Sequence, residues 1–310
     1  MKIVIVGSGG RLGAALVREY RDKFDMIGFD HEELDLGNKK EIENWLVPLD
    51  FDVLINAAAF TNVDLCESQP EQAFKINAEA PKLLAEICSH KKAKLIHFST
   101  DYVFDGEKRE PYVETDAAKP ISVYGESKRA GEENVLAEQG RSTSAKATAD
   151  GHLVLRVSWV FGPDRPSFID TMIKRAREEE QINAIADKWS APTYTSDIAE
   201  MLQSFFRVDA PGGVLHFANS GQCSWQEYAQ HAIDCCHRLN IPLKAKTVGA
   251  LQLADMTHLR QGSGGQANWV ARRPVYSVLS NSKYTQLTGT APRSWRDAVS
   301  DYIERSYSKK

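Results

Sequence analysis

Two kinds of hydrophobic pattern alternate along the chain. Short runs with continuous apolar centres occur at "KIVIV" (Lys2–Val6), "FDMIGFD" (24–30), "DVLINAAA" (52–59) and "AKLIHFST" (93–100). Between them lie longer stretches with a helical return of apolar residues, at about 11–23, briefly in "EIENWLVPL" (41–49), and over "PEQAFKINAEAPKLLAEICSHK" (70–91). A run with a continuous apolar centre suits a strand buried on both faces, and a helical period suits the helix that covers one of them. This alternation predicts βαβ units, hence an α/β fold with a parallel sheet. Right-handed crossovers make it a doubly wound, Rossmann-like sheet whose ligands bind beyond the C-terminal strand ends.

The second half resumes with strand "HLVLRVSWV" (152–160), helices "FIDTMIKRAREEE" (168–180) and "TSDIAEMLQSFFRV" (195–208), and strand "GGVLHFAN" (212–219). Beyond Gly221 come a helix over 224–239, a loop-rich stretch, and a terminal helix from Ser294. The expected organisation is a dinucleotide-binding domain over 1–162, completed by about 188–220. A smaller substrate-binding lobe is expected from 163–187 and 221–310. Two polar segments, 141–151 and 260–268, lack an apolar period and read as exposed loop insertions. The "GSGGQ" in the second has neither a preceding strand nor the GKS/T ending of a phosphate loop.

Composition narrows the classes. With 310 residues, 42% of them hydrophobic, the chain can bury a substantial core. A formal net charge of −4 provides no basic field for nucleic acid or anionic lipid. No apolar run approaches the roughly 20 residues of a membrane span. The N-terminus enters a strand at once, so no signal peptide is expected. Cys66, Cys88, Cys223, Cys235 and Cys236 are odd in number and lack CxxC spacing, which fits thiols in a reducing cytoplasm. The eight histidines show no ligand spacing, so no metal chemistry is expected.

Chemistry gathers at three places. "VIVGSGGRLG" sets Gly7, Gly10 and Gly13 directly after a strand and at the start of a helix. Glycine there lets a pyrophosphate approach the backbone, and the helix N-terminus offers free N–H groups to its charge. Asp30 ends the second strand, where an acid can accept from an adenine ribose and favour NADH; Arg11 could instead pair with a 2′-phosphate and favour NADPH. "VYGESK" sets Tyr124 and Lys128 four apart on one helix face, where a cation lowers the phenol's pKa toward that of a useful proton donor. Thr100, closing "HFSTDYVFDG", would converge on the same point and donate to a substrate carbonyl oxygen. Tyr102 has Gly106 four residues on, not a lysine, and so is not the expected acid.

The motifs "VGSGGRLG", "NAAAFTNVDLCE", "NAEAPKLLAE", "HFSTDYVFDG", "YGESKRAGE" and "RVSWVFGP" together resemble the extended short-chain dehydrogenase/reductases, and more narrowly the dTDP-4-dehydrorhamnose reductase family. The resemblance implies Thr100, Tyr124 and Lys128 as catalytic residues. It implies that Gly7, Gly10, Arg11, Leu12 and Gly13 hold the cofactor pyrophosphate. Asp30, Asp35 and Leu36 would lie around the adenosine, and Ala57, Ala58 and Ala59 would line the cofactor cleft. Val63, Asp101, Tyr102 and Trp159 would meet a dTDP-sugar. "DKWSAPT" (187–193) and "ARRPVYSVLSNSK" (271–283) match family segments near the substrate, although the second normally reads A-S-R-P and here carries Arg272.

The implied activity is NADPH- or NADH-dependent reduction of the C4 ketone of dTDP-4-dehydro-L-rhamnose, in dTDP-rhamnose and polysaccharide biosynthesis. A cytoplasmic protein is expected, and a homodimer is admitted. Two alternatives stay open. One is another sugar-nucleotide reductase or epimerase of the superfamily, although a dehydratase would carry Asp-Glu after the threonine where this chain has Asp101-Tyr102. The other is a non-catalytic regulatory subunit resembling the β subunit of methionine adenosyltransferase.

Overall fold

The computed structural model describes residues 1–139, 151–207, 210–254 and 270–308. Apart from Gly151, the two polar segments expected to be loop insertions lie outside the described residues. The strands are β1 (Lys2–Val6), β2 (Asp25–Phe29), β3 (Val53–Asn56), β4 (Lys94–Thr100), β5 (Leu153–Val157), β6 (Val160–Phe161), β7 (Ile182–Ile185), β8 (Trp189–Ser190), β9 (Thr193–Tyr194), β10 (Gly213–His216), β11 (Cys223–Ser224) and β12 (Val248–Leu251). Six of them form one parallel sheet in the order β10-β5-β4-β3-β1-β2.

The helices are α1 (Arg11–Tyr20), α2 (Lys39–Leu46), α3 (Val63–Ser68), α4 (Pro70–Phe74), α5 (Ala80–Lys91), α6 (Val123–Gln139), α7 (Phe168–Glu178), α8 (Thr195–Leu202) and α9 (Trp225–Arg238), with two more at Ser282–Thr288 and Trp295–Tyr307. Alternate residues of each strand serve opposite layers. Ile3, Ile5 and Ile96 pack with Leu16 of α1 and Ile198 of α8. Val4, Val6 and Leu95 pack with Ile42 of α2, Leu84 of α5 and Val135 of α6. The doubly wound sheet expected from the sequence is therefore present. Its strand order reverses beside β1, and a crevice opens between the C-terminal ends of β1 and β3.

A second core joins α7, α9 and the helix Trp295–Tyr307 through Ile169, Met172, Tyr228, Ile233 and Ile303. β12 pairs in parallel with β7 inside the stretch expected to be loop-rich. Four residues including Gly249 are too few to show a period. The helix expected over 70–91 is interrupted by a π-turn at Lys75–Glu79. The strand expected over 52–59 stops at Asn56, whose Oδ1 takes the Ala58 N–H at 3.1 Å and turns the chain. The strand expected over 152–160 breaks at Trp159, whose φ is +41°. All five cysteines are buried and unpaired. Among the described residues no helix is long and apolar enough to cross a membrane.

One ion pair fixes α6 to the sheet. Arg156 of β5 donates to both oxygens of Glu132, Nε to Oε1 at 2.8 Å and Nη2 to Oε2 at 2.6 Å. The two side chains are only 5% and 3% exposed. Removing one partner strands the other as a buried charge. Glu132→Ala is therefore expected to lower unfolding free energy by about 3–5 kcal/mol, read from the denaturant midpoint. The paired change Glu132→Leu with Arg156→Met should cost far less, and similar losses for the two would refute this account.

Candidate active site

The crevice begins where β1 ends. Gly7 has φ +84°, a left-handed conformation that glycine adopts without strain. A Cβ there would lie 2.7 Å from the Ala58 nitrogen, so glycine is what lets the ends of β1 and β3 meet. The Gly7 and Ser8 N–H groups donate to the Phe29 carbonyl at 2.8 and 2.9 Å, tying the turn to β2. No side chain caps the start of α1 at Gly10, so its first N–H groups remain available to an anion.

The crevice, of about 390 Å³, is lined by Gly7, Gly10, Arg11, Leu12 and Ala57 to Ala59, and farther along by Ser99, Tyr124 and Lys128. Ser99 Oγ is buried with no hydrogen-bond partner among the described residues. Uncapped N–H groups, a smooth alanine wall and an unsatisfied hydroxyl together fit a dinucleotide laid across the strand ends.

Several expected cofactor residues stand apart from that lining. Gly13 packs under the turn, where a Cβ would meet the Gly7 carbonyl oxygen at 2.0 Å. Asp30 spends Oδ1 on the N–H groups of Glu32 and Glu33, at 2.8 and 3.2 Å. Asp35 accepts from Gly37 N at 2.7 Å, and the Leu36 side chain is buried in the core. Arg11 lines the crevice, but its guanidinium donates to the carbonyls of Arg165 and Pro166, at 3.3 and 2.5 Å. It is thereby committed away from the 2′-phosphate role that the sequence suggested.

At the other end, Thr100 closes β4 while Tyr124 and Lys128 rise from the first turns of α6. Gly125 lets that helix start against the chain at Tyr102, whose carbonyl oxygen would lie 2.3 Å from a Cβ. Burial pushes the Tyr124 phenol well above its ordinary value, and the neighbouring Thr100 hydroxyl only partly offsets this. The expected lowering by Lys128 is not what this arrangement produces. Lys128 Nζ donates instead to the Phe98 carbonyl at 2.6 Å, and its own pKa falls to about 8 through burial, opposed by Glu132.

His97 lies beside this amine. Asn56 has its Oδ1 engaged by Ala58, so its Nδ2 donates to His97 Nδ1 at 3.1 Å. The neutral imidazole's remaining N–H then lies on Nε2, 3.4 Å from Lys128 Nζ, and burial and the Lys128 charge hold the His97 pKa well below its ordinary value. Neither His97 nor Asn77 was flagged by the sequence. Asn77, in the π-turn, accepts from Phe60 N at 2.8 Å and donates to Phe60 O and Ser127 Oγ, both at 3.0 Å. It thus joins the loop after β3 to the helix carrying Tyr124. An asparagine within a helical period gives no signal of such a contact.

Asp101 is buried with both oxygens engaged. Thr100 donates to Oδ1 at 3.1 Å, and Ser190 and Ser277 donate to Oδ2 at 3.1 and 2.5 Å. Burial raises its pKa, while Lys188 and those three hydroxyls pull it back. These bonds join Asp101, which the sequence expects beside a sugar nucleotide, to the hydroxyl of Thr100. Tyr102 sets its ring edge against Tyr124, with centroids 5.8 Å apart. Lys188, within the 187–193 segment, lies 5.1 Å from the Tyr102 ring centre and 5.5 Å from that of Trp159. Trp159 stacks on Tyr228 and is partly buried against the second core. Val63 opens α3, and the next residue, Asp64, pairs with Arg273 at 2.5 Å, which anchors the segment containing Arg272.

A doubly wound sheet with a glycine turn at one end of its crevice and a Thr–Tyr–Lys group at the other defines an extended short-chain dehydrogenase/reductase. The family is narrower: the RmlD substrate binding domain model matches residues 1–308, and the chain belongs to that family. It is 35% identical to a probable dTDP-4,6-dihydroxy-2-methyloxan-3-one 4-ketoreductase of Streptomyces antibioticus, covering 96% of this chain and 93% of that one. It is 34% identical to a dTDP-4-dehydrorhamnose reductase of Burkholderia thailandensis, covering 96% and 97%. Among solved structures, dTDP-4-dehydrorhamnose reductase from Bacillus anthracis in complex with NADP superposes with a TM-score of 0.85, at 28% identity over 98% of this chain and 99% of that one.

With Lys128 at about 8 and Tyr124 held higher by burial, turnover at this site is expected to fall as pH rises through about 8. Lys128→Arg, which keeps its charge, should move that limb of the pH–rate profile upward. A limb that stays in place would assign it to another group.

Proposed function

We propose that the protein reduces the C4 ketone of dTDP-4-dehydro-L-rhamnose to the alcohol of dTDP-L-rhamnose, using NADPH or NADH. The observation that carries this reading is the single crevice running from Gly7 and Gly10 to Tyr124 and Lys128. One dinucleotide bound there would have its pyrophosphate on the glycine turn and its nicotinamide beside the phenol. The cofactor supplies the hydride for the carbonyl carbon.

The protein's own groups handle the oxygen and its proton. Tyr124 donates its phenolic proton to the C4 oxygen. Thr100 turns its hydroxyl hydrogen from Asp101 to that same oxygen and stabilises the developing charge. Lys128 holds the nicotinamide ribose and offers the phenolate a nearby positive charge as the proton leaves. Gly7, Gly10, Arg11 and Leu12 cradle the pyrophosphate, with Gly13 packed beneath. Asp30, Asp35 and the backbone at Leu36 bound the adenosine end, and Ala57 to Ala59 form the wall. Val63, Tyr102 and Trp159 face the sugar nucleotide, with Asp101 acting through Thr100.

In this reading 1–162 with 188–220 form the nucleotide-binding unit, and 163–187 with 221–310 form the sugar-binding lobe. The buried, unpaired thiols suit a cytoplasmic enzyme. Assembly as a homodimer is part of the proposal and is read by sedimentation.

The test supplies purified protein with dTDP-4-dehydro-L-rhamnose and either cofactor, following cofactor oxidation and the sugar product. Tyr124→Phe is expected to lower kcat about a hundredfold to ten-thousandfold while still binding cofactor. Near wild-type turnover in that variant would remove Tyr124 as the donor. Absence of ketone-dependent oxidation with any dTDP-4-keto sugar would overturn the function.

A further inference from the structure

The adenosine end of the crevice is approached by an arginine from a distant part of the chain. Arg165 lies in the loop between β6 and α7, and its Nε donates to the Gly9 carbonyl at 3.0 Å. That loop is fastened to the glycine turn from the other side as well. Arg11 donates to the carbonyls of Arg165 and Pro166, and Arg18 of α1 forms an ion pair with Asp164. The guanidinium is thus held in position before any ligand arrives.

Gly9 locates what it faces. A Cβ built there would lie 3.1 Å from Asp30 Cβ, 3.8 Å from Asp30 Oδ2 and 3.9 Å from Arg165 Nη2. A carboxylate and a guanidinium therefore flank the same small space at the end of β2. Among the described residues Arg165 forms no ion pair, and its side chain donates only from Nε, so both Nη groups remain to donate. Asp30 is half committed, because its Oδ1 holds the turn at Glu32 and Glu33. A carboxylate with one oxygen so engaged is less able to grip both ribose hydroxyls. A guanidinium with two free nitrogens offers charge-assisted hydrogen bonds to a phosphate.

Resting on the nicotinamide-cofactor reading above, we propose that Arg165 receives the 2′-phosphate of NADPH beside Asp30 and gives this enzyme its preference for NADPH over NADH.

The test is calorimetric titration of the full chain with NADPH, NADH, 2′,5′-ADP and 5′-ADP. Arg165→Gln should weaken NADPH and 2′,5′-ADP about tenfold or more and leave NADH and 5′-ADP within about twofold. Arg165→Lys should recover part of the NADPH preference, as a point charge without the fork. Equal weakening of all four ligands would make Arg165 a prop for the glycine turn and overturn the assignment. So would unchanged NADPH affinity. If wild-type protein bound neither NADPH nor NADH, the cofactor reading itself would fall. Binding of both with an unaltered ratio in the variant would remove only the role of Arg165.

Discussion

The placement of α6 against the sheet is the constraint on which the site depends. Its sequence, "VYGESKRAGEENVLAEQ", is too polar to be held by an apolar stripe alone. Polar contacts do much of that work. Arg156 grips Glu132, Lys128 reaches the Phe98 carbonyl, Asn77 takes Ser127, and Asn134 donates to the Ala78 carbonyl at 3.0 Å. Tyr124, Lys128 and Glu132 follow one another at intervals of four, so one buried helix face carries the phenol, the amine and the anchoring carboxylate. A buried ion pair is an uncertain source of net stability, but here it fixes a register, and that register carries the chemistry.

Burial of this face sets the electrostatics. Lys128 and Lys188 are both fully buried amines brought down to about 8, and the Tyr124 phenol is driven the other way. A lone cation beside a tyrosine would have left the phenol easier to ionise. In a water-poor site each charge first loses its solvation, and only a directed partner restores it. Asp101 shows the same logic: three hydroxyls and Lys188 stand around its carboxylate, and Thr100 is oriented as a consequence.

Much of the fold was legible because its strands have apolar centres without a polar alternation. Such runs identify a sheet covered on both faces, and the glycines after "KIVIV" mark the crevice before any coordinate is known. Tyr124, Lys128 and Thr100 were legible for a related reason, since spacing on one helix and position at a strand end are local properties. The less visible elements had no local signature. β12 is a four-residue strand with no period, the π-turn at Lys75–Glu79 keeps a helical pattern, and the break at Trp159 lies inside an apolar run.

The sequence by itself determined the layered fold, the glycine turn and the candidate hydroxyls and amine of the site, because each depends on neighbours within a strand or a helical turn. Only the tertiary structure decided which charged groups face one another. It turned Arg11 from the adenosine end toward the carbonyls at 165 and 166, brought Arg165 to Gly9, and committed Asp101 to Thr100, Ser190 and Ser277. Those partners lie up to 176 positions apart along the chain. Their meeting depends on how loops cross the ends of a folded sheet, which no spacing in the chain encodes.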